Sequence, residues 1–264
     1  MKRWVLIFIA DDPYIEKAIV TIASARQVGE WRDDIVLLLP KHLYNDINIQ
    51  RISNMLNIIL KEIPERNFNS IYSEWDKHKE HSNYEYINSR RFIYNKFNIF
   101  DTYFKQWDIV FYLDAGSHIL GPLERIKKAC NPINCLYAHS DAYPDFVWKL
   151  ERQFCLELFT DEQKDKISKY KMDCDYFQSI ILIFDTSIIE MTTVDQLYTL
   201  SLEFPFALRT DQAIMNLLFT CERNLWKPLP IKDTIGYLFD AHQRTGHTAA
   251  EYLILKWKYL EVYN

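Results

Sequence analysis

The sequence predicts an α/β fold with a mostly parallel central sheet and helices on both faces. Two stretches, at residues 4–10 and 34–39, are apolar throughout except for Asp34 at the start of the second, and such runs are typical of strands that are covered on both faces. Between them, residues 14–27 carry apolar side chains at helical spacing, and Gly29 follows as a stop signal. Strand, helix and strand in this order are typical of a parallel sheet with crossover helices.

The same two patterns continue along the chain. They predict further strands at 57–63, 109–113, 136–138 and 180–184, and helices at 40–55, 86–104, 146–159, 194–204, 211–221 and 249–260. We expect the aromatic stripe from Tyr84 to Tyr103 to lie in the core. There is no repeat, low-complexity tract or linker, so we predict one continuous domain over residues 1–264.

Residues 64–85 are polar and aromatic without clear periodicity, which predicts a long loop. Loops of this length in compact domains are usually functional or mobile. We expect this loop either to fold over a ligand, with Tyr72, Trp75 and His78 facing it, or to be a solvated insertion.

Composition excludes several classes of function. Lys and Arg total 31 against 36 for Asp and Glu, and this net charge of −5 without a basic block predicts no nucleic-acid partner. Glycine occurs only five times, and neither glycine-rich phosphate motif is present, which argues against P-loop enzymes and ordinary dinucleotide binding. No apolar run approaches the roughly 20 residues of a membrane span. We also expect no signal peptide, because Asp11 and Asp12 interrupt the first run.

The five cysteines form no C-x-x-C pair. We therefore expect reduced thiols in a cytoplasmic protein and no structural zinc site.

Acidic residues follow the first predicted strand. Asp11 and Asp12 come directly after it, and Tyr14 could stack on a flat ring. In open parallel sheets, ligands bind beyond the carboxyl ends of the strands, which predicts a binding surface here. A plain structural role is also open, because Asp12 before Pro13 is a good helix start.

A second acidic residue, Asp114, ends the strand at 109–113. Gly116 would allow a close approach between backbone and ligand, and His118 adds a group that could bind metal or transfer a proton. Capping of the next turn is the alternative for Asp114.

Two later clusters carry polar side chains. Asp211 and Gln212 precede an apolar helix and could either cap it or bind a ligand. His242, Arg244 and His247 lie within residues 240–247 and suit either a metal with a phosphate or a solvated loop.

These clusters, in this order, resemble the GT-A glycosyltransferases, most closely the retaining family 8 enzymes such as glycogenin and galactosyltransferases of bacterial surface glycans. The opening VLIFIADDPYIEKAIVTIASAR resembles that family's first strand, Ala-Asp-Asp-x-Tyr turn and helix. YNKFNIFDTYFKQWDIVFYLDAGSHILGPLERI resembles its basic helix and Tyr-Leu-Asp-Ala-Asp strand end. YFQSIILIFDTSII resembles its Tyr-Phe-Asn-Ser-Gly strand, and LRTDQAIMNLLF its Asp-Gln helix start. The likeness runs from residue 4 to about 247.

The resemblance implies a GT-A fold with a nucleotide-binding half at about 1–118 and an acceptor half at about 119–264. It implies that Asp11 accepts a hydrogen bond from uracil, that Ala10 and Asp12 lie beside the nucleoside, and that Tyr14 stacks on the base. Either Lys96 or Arg91 would be the basic residue near the donor sugar and phosphates.

The resemblance also implies the residues at the diphosphate and the sugar. Asp114, Ala115 and Gly116 would hold the diphosphate, with Arg244 and Gly246 from the late motif. Gln178 and Asp211 would contact the sugar, and Gln212 would lie opposite the leaving group. The implied metal ligands are Asp114, His118, His242 and His247.

The sequence departs from the family pattern at the metal. The second Asp of the DXD motif is replaced by Gly116, and no Lys-Pro-Trp follows the late glycine. Ser117 or His118 could replace that ligand, or the enzyme could work without metal. Arg244 or Lys256 could supply the phosphate cation.

The implied activity is transfer of a sugar, with retention and assisted by Mn²⁺ or Mg²⁺, from a nucleotide sugar with UDP as the expected nucleotide. The acceptor would be a glycan, a protein or a lipid-linked sugar. A homodimer and peripheral membrane contact through the predicted last helix are further expectations. The alternative function is a catalytically silent GT-A module that binds a glycan or a partner transferase. A nucleotidyltransferase is disfavoured, because Asp-Asp-Pro stands where its glycine-rich loop would lie.

Overall fold

A computed structural model describes residues 2–256 and places a seven-stranded sheet at their centre. Its strand order is β3-β2-β1-β4-β7-β6-β8, and a three-stranded sheet has the order β5-β10-β9. The strands are β1 (Trp4–Ile9), β2 (Asp34–Leu39), β3 (Ile59–Glu62), β4 (Ile109–Leu113), β5 (His118–Ile119), β6 (Leu136–Ser140), β7 (Phe177–Asp185), β8 (Trp226–Pro228), β9 (Tyr237–Asp240) and β10 (Tyr252–Leu255).

The large sheet is parallel except at β7, which runs antiparallel to both β4 and β6. Both of its faces are covered. Val5 and Ile7 of β1 point into one apolar core, and Leu6 and Phe8 point into another. Since alternate side chains of a strand point to opposite faces, burial on both sides explains the unbroken apolar runs of the sequence.

Helices connect and cover the strands. They are α1 (Ile15–Gln27), α2 (Lys41–Tyr44), α3 (Ile47–Leu56), α4 (Asn69–Trp75), α5 (Tyr84–Asn88), α6 (Glu124–Ala129), α7 (Asp161–Ile167), α8 (Thr193–Glu203) and α9 (Asp211–Asn216). Short 3₁₀ segments lie at 76–78, 93–100, 102–106, 150–153, 156–158, 186–188 and 249–251, and a π-helical turn at 217–222 follows α9. None of the helices within residues 2–256 has the length and apolar character needed to cross a bilayer.

The end of α1 shows why the sequence marks it with glycine. The backbone N–H of Gly29 donates to the Ser24 carbonyl at 2.9 Å. A Cβ at residue 29 would lie 2.6 Å from the Ala25 carbonyl oxygen, so a larger residue would displace the backbone.

The helix predicted at 86–104 is only partly α-helical, because α5 ends at Asn88 and 3₁₀ segments follow at 93–100 and 102–106. Two other predicted helices are wrong. Residues 146–159 form 3₁₀ turns, because their backbone N–H groups bond to other segments: Leu150 donates to Cys174 and Cys155 to Phe206. Residues 252–255, predicted as part of the helix 249–260, form β10 between β5 and β9. The remainder of that predicted helix, 257–260, lies outside the described residues. Tertiary pairing overrides local propensity at both places.

The predicted loop at 64–85 is wrong in its main feature, because it contains α4. Tyr72 and Trp75 lie in the core with 4% and 1% of their surface exposed, so they do not face a ligand. His78 packs edge-on against Phe206, with ring centroids 5.5 Å apart. The neighbouring aromatic stripe is in the core as expected, with Tyr94, Phe97, Phe100 and Phe104 fully buried.

Replacing Trp75 with Ala should reduce the free energy of unfolding by about 3–5 kcal/mol, because a buried indole leaves a cavity. Phe at this position should cost less, since it loses mainly the hydrogen bond from the indole Nε1 to the Pro205 carbonyl, which is 2.9 Å long. Urea unfolding of both variants measures this. A Trp75→Ala protein with unchanged stability would show that the side chain is not part of the core.

Candidate functional site

The candidate site lies where β1 and β4 end. These strands are parallel neighbours, with Ile7 opposite Tyr112. The residues that follow them, 10–12 and 114–116, therefore leave the sheet side by side at its carboxyl edge, where open α/β sheets bind ligands.

The turn after β4 is fixed against α1. Thr21 of α1 accepts a hydrogen bond from the Gly116 N–H at 3.0 Å through its hydroxyl oxygen. Ser117 donates through its hydroxyl to the Asp114 carbonyl at 2.8 Å. Gly116 has φ +77°, a left-handed conformation that glycine adopts without strain.

A buried ammonium group joins this turn to α9. Lys96 Nζ lies 3.0 Å from Asp114 Oδ1 and 3.1 Å from Asp211 Oδ2. Its side chain is 6% exposed, Asp211 is 2% exposed, and the Asp114 side chain is 25% exposed. Lys96 also donates to the Ser179 carbonyl at 3.2 Å, so β4, β7 and the start of α9 meet at one lysine.

Hydroxyl groups complete the coordination of the two carboxylates. Tyr112 donates to Asp114 Oδ1, and Ser179 donates to Asp211 Oδ2 at 2.7 Å. Thr210 donates to Asp211 Oδ1 at 3.1 Å and has φ 46°, which is unusual for a β-branched residue. These hydroxyl groups hold the two carboxylates beside the single ammonium.

The electrostatics of this cluster favour its charged form. Burial lowers the pKa of Lys96, but Asp114 and Asp211 outweigh it, and the net pKa of the ammonium is raised. Burial, together with the charge of Asp114, holds the pKa of Tyr112 well above its ordinary value, so this phenol remains a proton donor.

Gln212 stands at the edge of the cluster. Its Oε1 accepts from the Ser179 backbone N–H at 3.3 Å, and its Nε2 donates to Gln153 Oε1 at 2.9 Å. The amide is held from both ends and is only partly buried, so it can meet a ligand.

Sequence reasoning missed Asp141, which lies just after β6. Its carboxylate accepts from the Tyr176 hydroxyl at 2.6 Å and from the Gln178 amide. Arg244 contacts the same carboxylate at 3.2 Å and the Tyr143 carbonyl at 3.0 Å. Asp141 thus connects two predicted site residues, Gln178 and Arg244. Its position after a strand was a usable signal, but the strand was predicted to end at residue 138.

The predicted nucleoside residues lie at the end of β1. Ala10 is buried, and burial raises the pKa of the Asp11 carboxyl. Asp11 Oδ1 is buried with no hydrogen-bond partner within residues 2–256, so a donor from a ligand would satisfy it. The ring of Tyr14 is 44% exposed. Asp12 points to solvent and contacts His42 at 2.8 Å.

Of the two alternative basic residues, the structure brings only Lys96 into the cluster. The exposed Arg91 stacks on Tyr72, with its guanidinium carbon 4.7 Å from the ring centroid, and bonds to Asn88 at 3.0 Å.

The predicted metal ligands do not assemble. Among residues 2–256, no three of Asp114, His118, His242 and His247 bring their donor atoms within 4.8 Å of one another. His247 instead contacts Glu251 at 3.2 Å, next to Gly246 in a polar turn.

A different group, His81, Cys155 and Glu157, does meet that distance. Burial raises the pKa of the Cys155 thiol to about 12, which disfavours the thiolate that a metal requires.

The donor set at the end of β4 does not fit a divalent cation. The ammonium of Lys96 and the phenol of Tyr112 both lie on Asp114 Oδ1, which leaves Oδ2 as the one remaining carboxylate oxygen of residues 114–116, and residue 116 offers no side chain. A Mn²⁺ or Mg²⁺ ion requires several oxygen ligands.

No family model and no curated protein sequence matches this chain. Solved structures match its fold. The bifunctional glycosyltransferase WbbM aligns with TM-score 0.56 at 14% identity, over 97% of this chain and 46% of its own. The galactosyltransferase LgtC, solved with donor and acceptor sugar analogues, aligns with TM-score 0.57 at 14% identity over 96% and 87%. Core-mannan synthase A from Aspergillus fumigatus, in a Mn/GDP form, aligns with TM-score 0.52 at 9% identity over 90% and 76%.

The chain therefore has the expected GT-A fold, and it spans under half the length of WbbM. The predicted fold class is confirmed.

Replacing Lys96 with Met should destabilise the protein by about 3–5 kcal/mol, because the buried Asp211 and the partly exposed Asp114 lose their common cation. Lys77→Met is the control, since Lys77 pairs with Glu74 at the surface and should contribute less than about 1 kcal/mol. Urea unfolding compares the two. An equal loss of unfolding free energy in both variants would show that the ion pairs of Lys96 do not stabilise the cluster.

His139 of β6 lies against Phe239, is 3% exposed, and is kept neutral by burial, which lowers its pKa from 6.5 to about 4. In this range the unfolded chain binds a proton that the folded chain does not, so stability should fall as the pH falls. His139 should contribute about 1.4 kcal/mol per pH unit to the slope of stability against pH. Unfolding measured across this range should show a shallower slope for His139→Asn. Identical slopes would contradict a neutral, buried His139.

Proposed function

We propose that this protein is a glycosyltransferase that moves a sugar from a nucleotide-sugar donor to a glycan, protein or lipid-linked acceptor. The observation that carries the proposal is the buried Lys96–Asp114–Asp211 cluster at the carboxyl edge of the sheet, in a fold shared with known glycosyltransferases. A charged cluster at the ligand-binding edge of the sheet can orient a polar substrate. A cluster with only a structural role would not need to lie at that edge.

We propose uridine as the nucleoside. Asp11 Oδ1 is a buried acceptor that suits the imide N–H of uracil, and the exposed ring of Tyr14 can stack on the base. Ala10 and Asp12 flank this position. GDP is the nucleotide that the core-mannan synthase structure contains, so guanosine is the competing choice.

In the proposed reaction, the bond between the anomeric carbon and the diphosphate oxygen breaks, and its electron pair remains on the diphosphate. The acceptor hydroxyl oxygen bonds to the anomeric carbon, and its proton passes to the departing diphosphate. Both carboxylates of the Lys96 cluster are held by an ammonium and hydroxyl donors, which leaves them poorly suited as general bases or nucleophiles. This supports attack on the face of the leaving group, with retention.

The chain's own residues orient the sugar. In this proposal Asp114 and Gln212 contact its hydroxyl groups, which their partial exposure supports. Asp211 is almost fully buried against Lys96 and Ser179, so in this proposal it positions Lys96. Gln178 likewise acts through Asp141, because its amide donates to that carboxylate.

A Mn²⁺ or Mg²⁺ ion would act as a Lewis acid at the diphosphate in the family that the sequence resembles. Because the donor set at Asp114 and Gly116 does not fit such an ion, the proposed steps do not involve it.

The homodimer, the peripheral membrane contact, the cytoplasmic location and the single domain with its two halves stay predictions. The silent GT-A module is the second candidate, and the loss of a carboxylate at residue 116 favours it.

A panel of UDP- and GDP-sugars tests the proposal. The protein should hydrolyse at least one donor slowly and release the nucleoside diphosphate, and Asp114→Asn should lower kcat/KM about 100-fold through misplacement of the sugar. Asp161→Asn, at a fully exposed position of α7, is the matched control and should leave the rate unchanged. NMR of the sugar anomer first released by hydrolysis checks retention. Nucleotide-sugar binding without turnover would favour the silent module, and no binding to any donor would contradict both functions.

A further inference from the structure

Two lysine side chains lie beside Gly116, in the space where the side chain of the second Asp of the DXD motif would lie. A Cβ built on Gly116 would lie 3.0 Å from Lys256 Nζ and 3.4 Å from Lys17 Cδ. The space beside the β4 turn therefore contains the ammonium of Lys256 and the stem of Lys17, whose own ammonium is two bonds further along.

The position of Lys256 is set by the second sheet. Leu255, the last residue of β10, lies opposite His118 of β5 and beside Asp240 of β9. The Lys256 backbone N–H donates to the Asp240 carbonyl at 2.9 Å, and its side-chain Nζ donates to the Ala115 carbonyl. The three-stranded sheet therefore holds the Lys256 ammonium against Ala115, the residue that follows Asp114.

Lys17 reaches the same turn from α1. Its Nζ lies 5.9 Å from the centroid of the Tyr14 ring, at the proposed nucleoside position. Thr21, one helical turn further along α1, is the residue that holds the Gly116 N–H. The two lysines therefore flank the backbone between the proposed nucleoside and sugar positions.

The surroundings of Gly116 disfavour a metal ligand there. A carboxylate residue would have to adopt φ +77° and would meet Lys256. The other cationic candidate of the sequence, Arg244, lies elsewhere, on the Asp141 carboxylate and the Tyr143 carbonyl.

We propose that the ammonium groups of Lys256 and Lys17 bind the diphosphate of the donor in place of a divalent cation. This inference rests on the proposed function. As the bond between the anomeric carbon and the diphosphate oxygen breaks, its electron pair stays on the diphosphate. The added negative charge then forms beside the ammonium groups of the two lysines. Ammonium groups supply N–H donors to phosphate oxygens and require no metal ligand set.

The test is calorimetric binding of UDP and GDP, and of uridine and guanosine, with excess EDTA and with Mn²⁺. The wild-type protein should bind a nucleoside diphosphate equally well in both conditions. Lys256→Met should weaken that binding about 10- to 100-fold, as expected when a charged hydrogen bond is lost, and should leave nucleoside binding unchanged. Lys17→Met should act in the same direction, and Lys256→Arg should recover most of the loss.

Lys164→Met is the matched control, because Lys164 lies half-exposed on α7, which contributes no residue to the site. Circular dichroism and thermal unfolding of each variant separate a lost contact from a lost fold. The unchanged nucleoside affinity of Lys256→Met makes the same separation within the binding assay.

Two results would overturn the inference, and they differ in what else they overturn. Diphosphate binding or donor hydrolysis that EDTA abolishes and Mn²⁺ restores would refute the lysine pair and leave the glycosyltransferase proposal standing. Lys256→Met with wild-type diphosphate affinity would do the same. A protein that binds no nucleotide and no nucleotide sugar in either condition would refute both.

Discussion

The site depends on one buried ion cluster, in which Lys96 faces two carboxylates that the chain brings from places far apart in sequence. Asp114 ends β4, Asp211 begins α9, and Ser179 of β7 contacts both Lys96 and Asp211. Burying either carboxylate without the ammonium would be costly, so the three elements are held together by charge as well as by packing. That constraint fixes the partly exposed Asp114 and Gln212 at the edge where the sheet can receive a ligand.

Much of the fold could be predicted from the sequence, because burial on both faces leaves a strong local signal. The runs in β1, β2 and β4 contain almost no polar residues, and Gly29 marks the end of α1. The errors lie where the local signal was weaker than pairing at long range. Residues 252–255 carry a pattern that also suits a helix, and they become a strand because β5 and β9 provide partners on both sides.

The site was predictable only as far as strand ends reveal it. Asp11, Asp114 and Asp211 stand at element boundaries, and the resemblance pointed to each of them. Asp141 was missed because its role depends on Tyr176, Gln178 and Arg244, which only the fold brings together. The sequence alone did not distinguish Arg244 from Lys256 as the cation for the phosphates. The structure places Arg244 on Asp141 and Lys256 on the turn at Ala115, and this difference suggests how a chain without a second acidic ligand can still face a diphosphate.

We propose that the Lys96 cluster forms the floor of a donor-sugar site. A crystal structure of the protein with an intact, non-hydrolysable nucleotide sugar tests it most directly. We expect sugar hydroxyl groups within hydrogen-bond distance of Asp114 and Gln212, and the diphosphate beside Gly116. A donor bound elsewhere, with Asp114 and Gln212 out of contact with the sugar, would contradict it.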